Sequence, residues 1–173
     1  MSITPPSIAP ATEHAIRQFL GYEALLLDQN RLADWAALLD PAIIYEIPMR
    51  IVAKGGADDE FPPGSFRVRD DLAMIQKRIE RHGTAENWAE DPPSRTVRNV
   101  SSIFIEPTDD AKVFRVHSAL TLYRQRALDR AYEWIPARRS DLIRVESDGC
   151  RLVRRTIILA ETILQTPNLG IFL

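Results

Sequence analysis

The sequence predicts one α+β domain in which helices come first and a long, curved sheet follows. Apolar residues recur at helical spacing through the first half of the chain, which is typical of helices that bury one face. From Arg95 onward the pattern changes to four long strand-like stretches joined by short turns. Connections this short join antiparallel neighbours, because a parallel crossover needs a longer link. The sheet is therefore expected to be mainly antiparallel and to wrap around the leading helices as a cone.

The chain begins with an extended arm, and a single cone-shaped domain over residues 12–173 follows. Residues 1–11 hold three prolines and are predicted not to be helical. Thr12 is a candidate N-cap for a helix from Glu13 to about Leu27, in which apolar side chains recur near helical spacing.

A second, shorter helix and the first strand come next. The helix is predicted from Arg31 to Leu39, and Asp40-Pro41 is expected to end it, because the proline ring blocks the helical hydrogen bond. The first strand is predicted from Ile43 to Val52. Residues 53–65, rich in glycine and proline, are interpreted as a loop without an assigned role.

A third helix and four long strands complete the pattern. The helix begins at Asp70 or Asp71 and ends near His82, and Gly83 is placed to cap it. Asp148-Gly149 is the signal for a two-residue hairpin between the last two strands. The four strands span about Thr96–Glu106, Val113–Gln125, Ala131–Val145 and Arg151–Ile163.

Composition excludes several classes of protein. The 173 residues are 45% hydrophobic and 27% charged, which is ordinary for a globular domain. Lys and Arg number 22 against 24 Asp and Glu, a formal charge of -2, which argues against a nucleic-acid binder.

One cysteine and three histidines cannot build a disulfide or a cysteine-rich zinc or iron–sulfur cage. No signal peptide and no apolar stretch near the roughly 20 residues of a membrane span are present, so a cytoplasmic location without a membrane partner is expected.

The common nucleotide-binding, hydrolase and metalloprotease motifs are absent from the sequence. His117, in a strand beside apolar neighbours, is either a general base or metal ligand within the cone, or a core or interface histidine with one hydrogen bond. Asp141 lies near Arg138-Arg139 and Arg154-Arg155. It either pairs with an arginine to activate water, or belongs to a cross-strand ladder of ion pairs. Cys150 is interpreted as a small strand residue, not a nucleophile.

Residues along almost the whole chain match a known family. The most specific block is the run from Trp88 to Thr96, W-A-E-D-P-P-S-R-T, followed by Asn99-Val100. With these residues the sequence resembles the small (beta) subunits of Rieske-type aromatic-ring-hydroxylating dioxygenases, of the biphenyl, naphthalene and cumene type. The further matching residues are Phe19, Tyr22, Glu23, Ala24, Leu26, Leu27, Asp28, Trp35, Leu38, Leu39, Ile44–Arg50, Tyr123-Arg124, Ala137–Leu142, Arg154–Ile157 and Asn168–Leu173.

The resemblance implies a nuclear-transport-factor-2-like cone and the role of a non-catalytic structural subunit. Such enzymes add O2 to an aromatic ring to give a cis-dihydrodiol in the catabolism of aromatic hydrocarbons. Three small subunits assemble with three large (alpha) subunits, which hold a Rieske two-iron two-sulfur cluster and a mononuclear Fe(II). A ferredoxin and a reductase act indirectly. This chain is then expected to hold no cofactor, metal or catalytic residue.

Contact with neighbouring chains is the expected use of the arginine pairs and of the aromatic residues outside regular structure. Guanidinium groups are planar donors suited to carboxylates across an interface, and the second-half sheet is expected to face the large subunit or the threefold axis. The predicted interface residues are Trp88, Asp91, Arg95, Arg138, Arg139, Arg154, Arg155 and Phe172.

Two other functions stay open at this point. A stand-alone cone-fold enzyme, isomerase-like or dehydratase-like, would use Tyr45, His117 or Asp141 around an open apolar pocket. A stand-alone homo-oligomeric binding module would have no large-subunit gene beside its own. Because both faces of the second-half strands carry apolar residues, we expect side chains to fill the cone, which disfavours the enzyme.

Overall fold

Six strands form one curved, open sheet in the order β2-β1-β6-β5-β4-β3. They and three helices make up the regular part of the chain that the structure describes. This computed structural model describes residues 6–52, 60–82, 93–126, 131–163 and 168–173. The elements are α1 (Pro10–Asp28), α2 (Leu32–Ala36), β1 (Leu39–Pro48), β2 (Phe66–Asp70), α3 (Leu72–Arg81), β3 (Arg95–Pro107), β4 (Val113–Gln125), β5 (Glu133–Glu146) and β6 (Gly149–Leu159).

The sheet is mainly antiparallel, as the short connections predict. Strands β3 to β6 pair in sequence order with antiparallel register, and β2 pairs with β1 in the same way. The exception is β1, which runs parallel to β6. These two strands are separated by most of the chain, so the limit that short turns place on strand direction does not apply to them.

The helices pack on one face of the sheet, here called the inner face. Helix α1 lies against β3, β5 and β6, and α3 lies against β1 and β2. The side chains of Ile16, Leu20 and Leu26 on α1 are wholly buried there. A bulge between Ser101 and Phe104, with Ser102 at φ 51°, interrupts the pairing of β3 with β4, and such bulges increase the bend of a strand. The result is the predicted nuclear-transport-factor-2-like cone.

The N-terminal boundary differs from the prediction. Helix α1 begins at Pro10, with Ala9 as N-cap, so the predicted arm of residues 1–11 reaches two residues too far and Thr12 is not the cap. Proline is tolerated at the first helical position, because that residue has no backbone hydrogen bond to donate within the helix. The prediction places Pro10 in a non-helical arm, whereas in the structure Pro10 is the first residue of α1.

The region around Pro41 also differs from the prediction. Helix α2 ends at Ala36, and Leu39 to Pro41 already belong to β1. Pro41 lies where the register between β1 and β6 shifts, between Leu39 and Ile44. A proline is tolerated at such a bulge because no ladder hydrogen bond is required of it.

Three smaller features differ from the sequence interpretation or lie beyond it. Strand β2, Phe66–Asp70, was not predicted. Asp71 is the N-cap of α3 and accepts a hydrogen bond from the backbone of Met74. The last hairpin turns at residues 147–148, one position before the predicted pair, and Gly149 opens β6 at φ 142°. Gly83, the predicted cap of α3, lies outside the described residues.

Candidate functional site

Four charged side chains meet inside the cone. They are Glu23 from α1, Arg139 and Asp141 from β5, and Arg155 from β6, each at most 2% exposed. Arg155 donates to both carboxylates: Nη2 lies 2.7 Å from Oε2 of Glu23, and Nε lies 2.9 Å from Oδ1 of Asp141. Inward positions alternate along a strand, which places Arg139 and Asp141 on the same side of β5.

Glu23 is held in its ionised form. Burial alone would raise the pKa of this carboxyl, but Arg155 and Arg139, together with hydrogen bonds from Arg155 and Trp35, offset burial and lower the pKa below its ordinary value of 4.5. The indole of Trp35 donates to Oε1 of Glu23 at 3.0 Å. A buried carboxylate with this set of donors is a poor proton acceptor.

The two buried arginines differ in how they are balanced. Burial disfavours the charge on both, yet Asp141 and Glu23 raise the pKa of Arg155 well above its usual value. Arg139 has weaker compensation: Nη1 lies 3.6 Å from Glu23, Nε donates to Ser118 at 3.2 Å, and burial lowers its pKa. The cluster contains two carboxyls and two guanidiniums, so its formal charges balance. It is suited to fixing elements against each other.

The rest of the inner space is filled by residues near the end of the sequence. Phe172 is 1% exposed, and its ring lies 4.4 Å from that of Trp35 and 6.0 Å, edge-on, from that of Tyr45. The amide of Leu173 donates to the Tyr45 hydroxyl at 2.8 Å. Burial raises the pKa of Tyr45, which keeps this hydroxyl neutral. Where a cone-fold enzyme would need room for a substrate, this cone holds side chains of its own chain.

The three residues of the stand-alone enzyme hypothesis do not converge. Tyr45 and Asp141 are both buried in the interior. His117 points to the opposite face of the sheet, where its side chain is 45% exposed and Nε2 lies 3.2 Å from Glu106. The carboxylate beside His117 was not anticipated, because it lies across the strand pair and not next to it in sequence.

Aromatic side chains are exposed at one end of the opposite, outer face of the sheet. Tyr132 and Trp134 are 59% and 54% exposed, and both pack on Tyr123, with ring centroids 5.6 Å and 5.5 Å apart. Val97, whose strand partner is Tyr123, is 62% exposed. Large exposed apolar groups that lie together are typical of interaction surfaces.

The outer face continues from these aromatic residues into a basic depression. Arg50 and Arg138 border a hollow of about 360 Å³ whose other lining residues include Pro136 and Ile158. Arg154 is exposed on the same face, where Nη2 lies 2.8 Å from Glu46. This combination of apolar floor and guanidinium groups suits a protein surface that carries carboxylates.

A family model described as the ring hydroxylating beta subunit matches residues 22–166. The beta subunit of N,N-dimethyl phenylurea N-demethylase from Sphingobium sp. (strain YBL2) is 38% identical over 156 residues, which cover 90% of this chain and 88% of that protein. The chain belongs to the ring-hydroxylating beta-subunit family. It is therefore part of an oxygenase complex, an oxidoreductase, and the stand-alone enzyme is disfavoured.

Solved structures of ring-hydroxylating dioxygenases share the fold of this beta subunit. A structure of naphthalene 1,2-dioxygenase with indole bound in the active site superposes with a TM-score of 0.83 at 22% identity, covering 96% of this chain and 88% of that one. The beta subunit of benzoate 1,2-dioxygenase from Burkholderia mallei ATCC 23344 gives a TM-score of 0.67 at 19% identity, covering 89% and 92%. At these identities the likeness shows the fold alone.

The side chains that the structure describes do not fit the iron centres that the resemblance to Rieske-type oxygenases implies. Within the described ranges, no three His, Cys, Asp or Glu side chains gather as metal ligands would. A Rieske cluster needs two cysteines and two histidines, and the chain has one cysteine. In the same part of the chain, no helix is long and apolar enough to cross a membrane.

Three of the predicted interface residues are corrected by the structure. Arg139, Arg155 and Phe172 are at most 2% exposed within this single chain, so their side chains offer nothing to a neighbour. The prediction assigns both arginines of each pair to the interface, whereas successive strand residues face opposite sides of a sheet. One member of each pair therefore points inward.

The other five predicted interface residues fall into two groups. Arg95, Arg138 and Arg154 are exposed on the outer face, where the predicted contact remains open to test. Trp88 and Asp91 lie outside the described residues.

Glu23 is the one member of the four-residue charged cluster that the sequence analysis does not single out as a site residue. It interrupts the apolar face of α1 between Leu20 and Leu26, and a carboxyl in a core position needs a charged partner. That position is the signal from which an inward arginine could have been inferred.

Proposed function

We propose that this chain is the non-catalytic structural subunit of a ring-hydroxylating oxygenase in which three copies assemble with three large (alpha) subunits. The large subunit holds the Rieske cluster and the mononuclear Fe(II), and a ferredoxin and a reductase supply the electrons. The observation that carries the proposal is the closed interior: Phe172, Leu173 and a charge-balanced cluster occupy the space that a cone-fold enzyme would leave for its substrate.

The reaction is proposed to be set by the large subunit. Names within this group differ in chemistry: the 38% identical relative is named for an N-demethylation, whereas the naphthalene and benzoate enzymes are named as dioxygenases. One type of small subunit accompanying both reactions supports a scaffold that does not choose the chemistry. Dioxygenation of an aromatic ring to a cis-dihydrodiol is the reaction we propose for the complex of this chain.

The outer face of the sheet is the surface proposed to contact the other subunits. Its exposed residues Arg95, Arg138 and Arg154 remain interface candidates, and the aromatic group around Trp134 joins them. Aromatic residues and arginine are enriched at the centres of protein interfaces. Trp88 and Asp91 stay in the proposal on the strength of the sequence block that contains them. A cytoplasmic location, supported by the single cysteine, is also part of the proposal.

Co-expression with the large subunit tests the proposal. We expect size-exclusion chromatography with light scattering to give the mass of a three plus three complex, and metal analysis to find iron in the complex and none in the isolated chain. Ring oxidation, assayed with a ferredoxin and a reductase, should require the large subunit. Stoichiometric iron in the isolated chain, or a monomer that ignores a co-expressed large subunit, would refute the scaffold role.

A further inference from the structure

Residues 168–173 are held inside the cone without belonging to any helix or strand. Their main-chain oxygens are met by side chains from other elements, one after another. Arg124 donates to Asn168 at 3.1 Å, Arg78 to Leu169 at 3.2 Å, and Nε2 of His82 lies 3.2 Å from the oxygen of Gly170. Because a carbonyl oxygen only accepts, this ring nitrogen is the donor.

The same pattern continues through the last three residues of the segment. Arg78 also reaches the oxygen of Ile171 at 3.5 Å, and Arg98 donates to that of Phe172 at 2.6 Å. Arg155 and the Tyr45 hydroxyl donate to the oxygen of Leu173 at 3.2 Å and 3.3 Å. All six main-chain oxygens are therefore bound by side chains, whereas strands and helices bind their own backbone. The segment bends at Ile171, and Oδ1 of Asn168 accepts from the amide of Gly170 at 2.9 Å.

The donors are fixed by partners outside the segment. Each of the four arginines is paired with a carboxylate from the body of the domain. The pairs are Arg78 with Asp70, Arg98 with Asp28, Arg124 with Glu133, and Arg155 with Glu23 and Asp141. Donors that are held in place before a ligand arrives cost less entropy when it binds.

A side-chain pocket adds selectivity to the main-chain contacts. The Phe172 ring lies between Trp35 and Tyr45, and the guanidinium of Arg78 stands 4.3 Å from the ring centroid. Ile171 and Leu173 are 8% and 0% exposed. A peptide with the pattern Ile-Phe-Leu fits both the row of donors and the apolar slots.

We propose that the cone is a peptide-binding site, that residues 168–173 are its resident ligand, and that it accepts the same hexapeptide supplied as a separate molecule. The ligand class is a peptide with consecutive large apolar side chains, recognised through its carbonyl oxygens by four arginines together with His82 and Tyr45. One chain thus contains both the binding site and the peptide that fills it.

The test uses the full chain with a protease recognition sequence inserted between Pro167 and Asn168. After cleavage, we expect the released segment to stay with the domain through gel filtration. A peptide with the sequence of residues 168–173 and an N-terminal fluorophore should then exchange into the site, seen as a rise in fluorescence anisotropy. A variant lacking residues 168–173 is tested in parallel with the same peptide, so that the result does not depend on cleavage.

Two matched controls address specificity. A peptide with the Phe172→Ala change should bind at least about 100-fold more weakly, because it leaves the aromatic slot empty. Tyr45→Phe in the domain removes the hydroxyl that contacts both polar atoms of Leu173 and keeps the ring, and we expect affinity to fall about 3- to 10-fold.

Three results would overturn the proposal. In the first, the cleaved segment is lost and no peptide binds, although circular dichroism shows an intact sheet. In the second, the domain unfolds on cleavage or deletion and added peptide does not restore it, which would make the segment an inseparable part of the core. In the third, the Phe172→Ala peptide binds as tightly as the native sequence.

Discussion

Arg155 is the residue on which the interior of the cone depends. Its guanidinium binds two carboxylates from different elements, and its side chain is wholly buried. Buried ion pairs add little net stability relative to apolar packing, but breaking one leaves a charge without compensation. The cluster thus joins α1, β5 and β6 in one arrangement, and the cost of disturbing it is large.

Removing one carboxylate from this cluster should be strongly destabilising. In Asp141→Asn the shape is kept but Arg155 loses one of its two charge partners, and we expect the free energy of unfolding to fall by about 3–5 kcal/mol. Urea denaturation of the purified chain measures it. The matched control is Glu13→Gln, which breaks the exposed Glu13–Arg17 pair and should change stability by less than about 1 kcal/mol. Equal effects of the two variants would contradict the structural role of the cluster.

Ionised Glu23 makes a contribution to the free energy of unfolding that depends on pH. Its pKa in the folded chain lies below the ordinary 4.5, so ionised Glu23 stabilises the fold above that pH, and the contribution is lost as the pH falls through the folded pKa. Glu23→Gln lacks this term. We therefore expect its free energy of unfolding to decline less steeply than that of the wild type below about pH 4.5.

Urea unfolding at a series of pH values, from about 6 to about 3, measures this difference. The Glu23→Gln variant should be less stable than the wild type at the upper end, because two arginines lose a partner, and the gap should narrow toward the lower end. Curves that run parallel through the whole series would show that Glu23 does not titrate with folding.

At the scale of elements, the sequence predicts most of the strands but not all of the pairings between them. The four second-half strands were predicted within a few residues, because their turns and apolar patterns are local signals. The parallel contact of β1 with β6 has no local signal: it depends on where α1 and α3 pack. Short β2 was missed for a similar reason, since a five-residue edge strand is stabilised mainly by its pairing with β1.

The interior of the candidate site shows the same division. That Arg139 and Arg155 face inward follows from the two-residue period of strands, once Asp141 and Ile157 are taken as core positions. The segment 168–173 has no period of its own, since side chains bind its oxygens. Its position inside the cone depends on contacts with residues that are distant in sequence, so no local sequence pattern predicts it.

The N-terminus of helix α3 is capped by one side chain, so a single substitution tests how much the cap contributes to stability. The carboxylate of Asp71 accepts a hydrogen bond from the amide of Met74 at 2.9 Å. Asp71→Ala removes this cap and should lower the free energy of unfolding by about 1 kcal/mol, whereas Asp71→Asn keeps an acceptor and should change it by only a few tenths. Urea denaturation of both variants is the measurement. A loss as large in Asp71→Asn as in Asp71→Ala would mean that the cap is not the cause.

At the scale of the whole molecule, the two faces of the sheet differ in what they expose to solvent. The inner face is closed by helices, by the charged cluster and by residues 168–173. The outer face leaves an aromatic group and a basic depression exposed. In the structural role proposed above, the exposed face contacts the large subunit and the closed face keeps the domain rigid.

Adjacent arginines on β5 allow the two roles to be separated by experiment. Arg138 is exposed on the outer face, and Arg139 is 2% exposed beside Glu23. Arg138→Glu should leave the free energy of unfolding of the isolated chain within about 0.5 kcal/mol of the wild type. If the outer face binds the large subunit as proposed, the reversed charge should weaken assembly with a co-expressed large subunit. Arg139→Glu should lower the free energy of unfolding by more than about 3 kcal/mol, because it places an uncompensated negative charge in the core.

Light scattering on the co-expressed pair and urea denaturation of each isolated variant give the two readouts. If Arg138→Glu assembles as well as the wild type, and Trp134→Ser on the same face does too, then the outer face is not the surface that binds the large subunit.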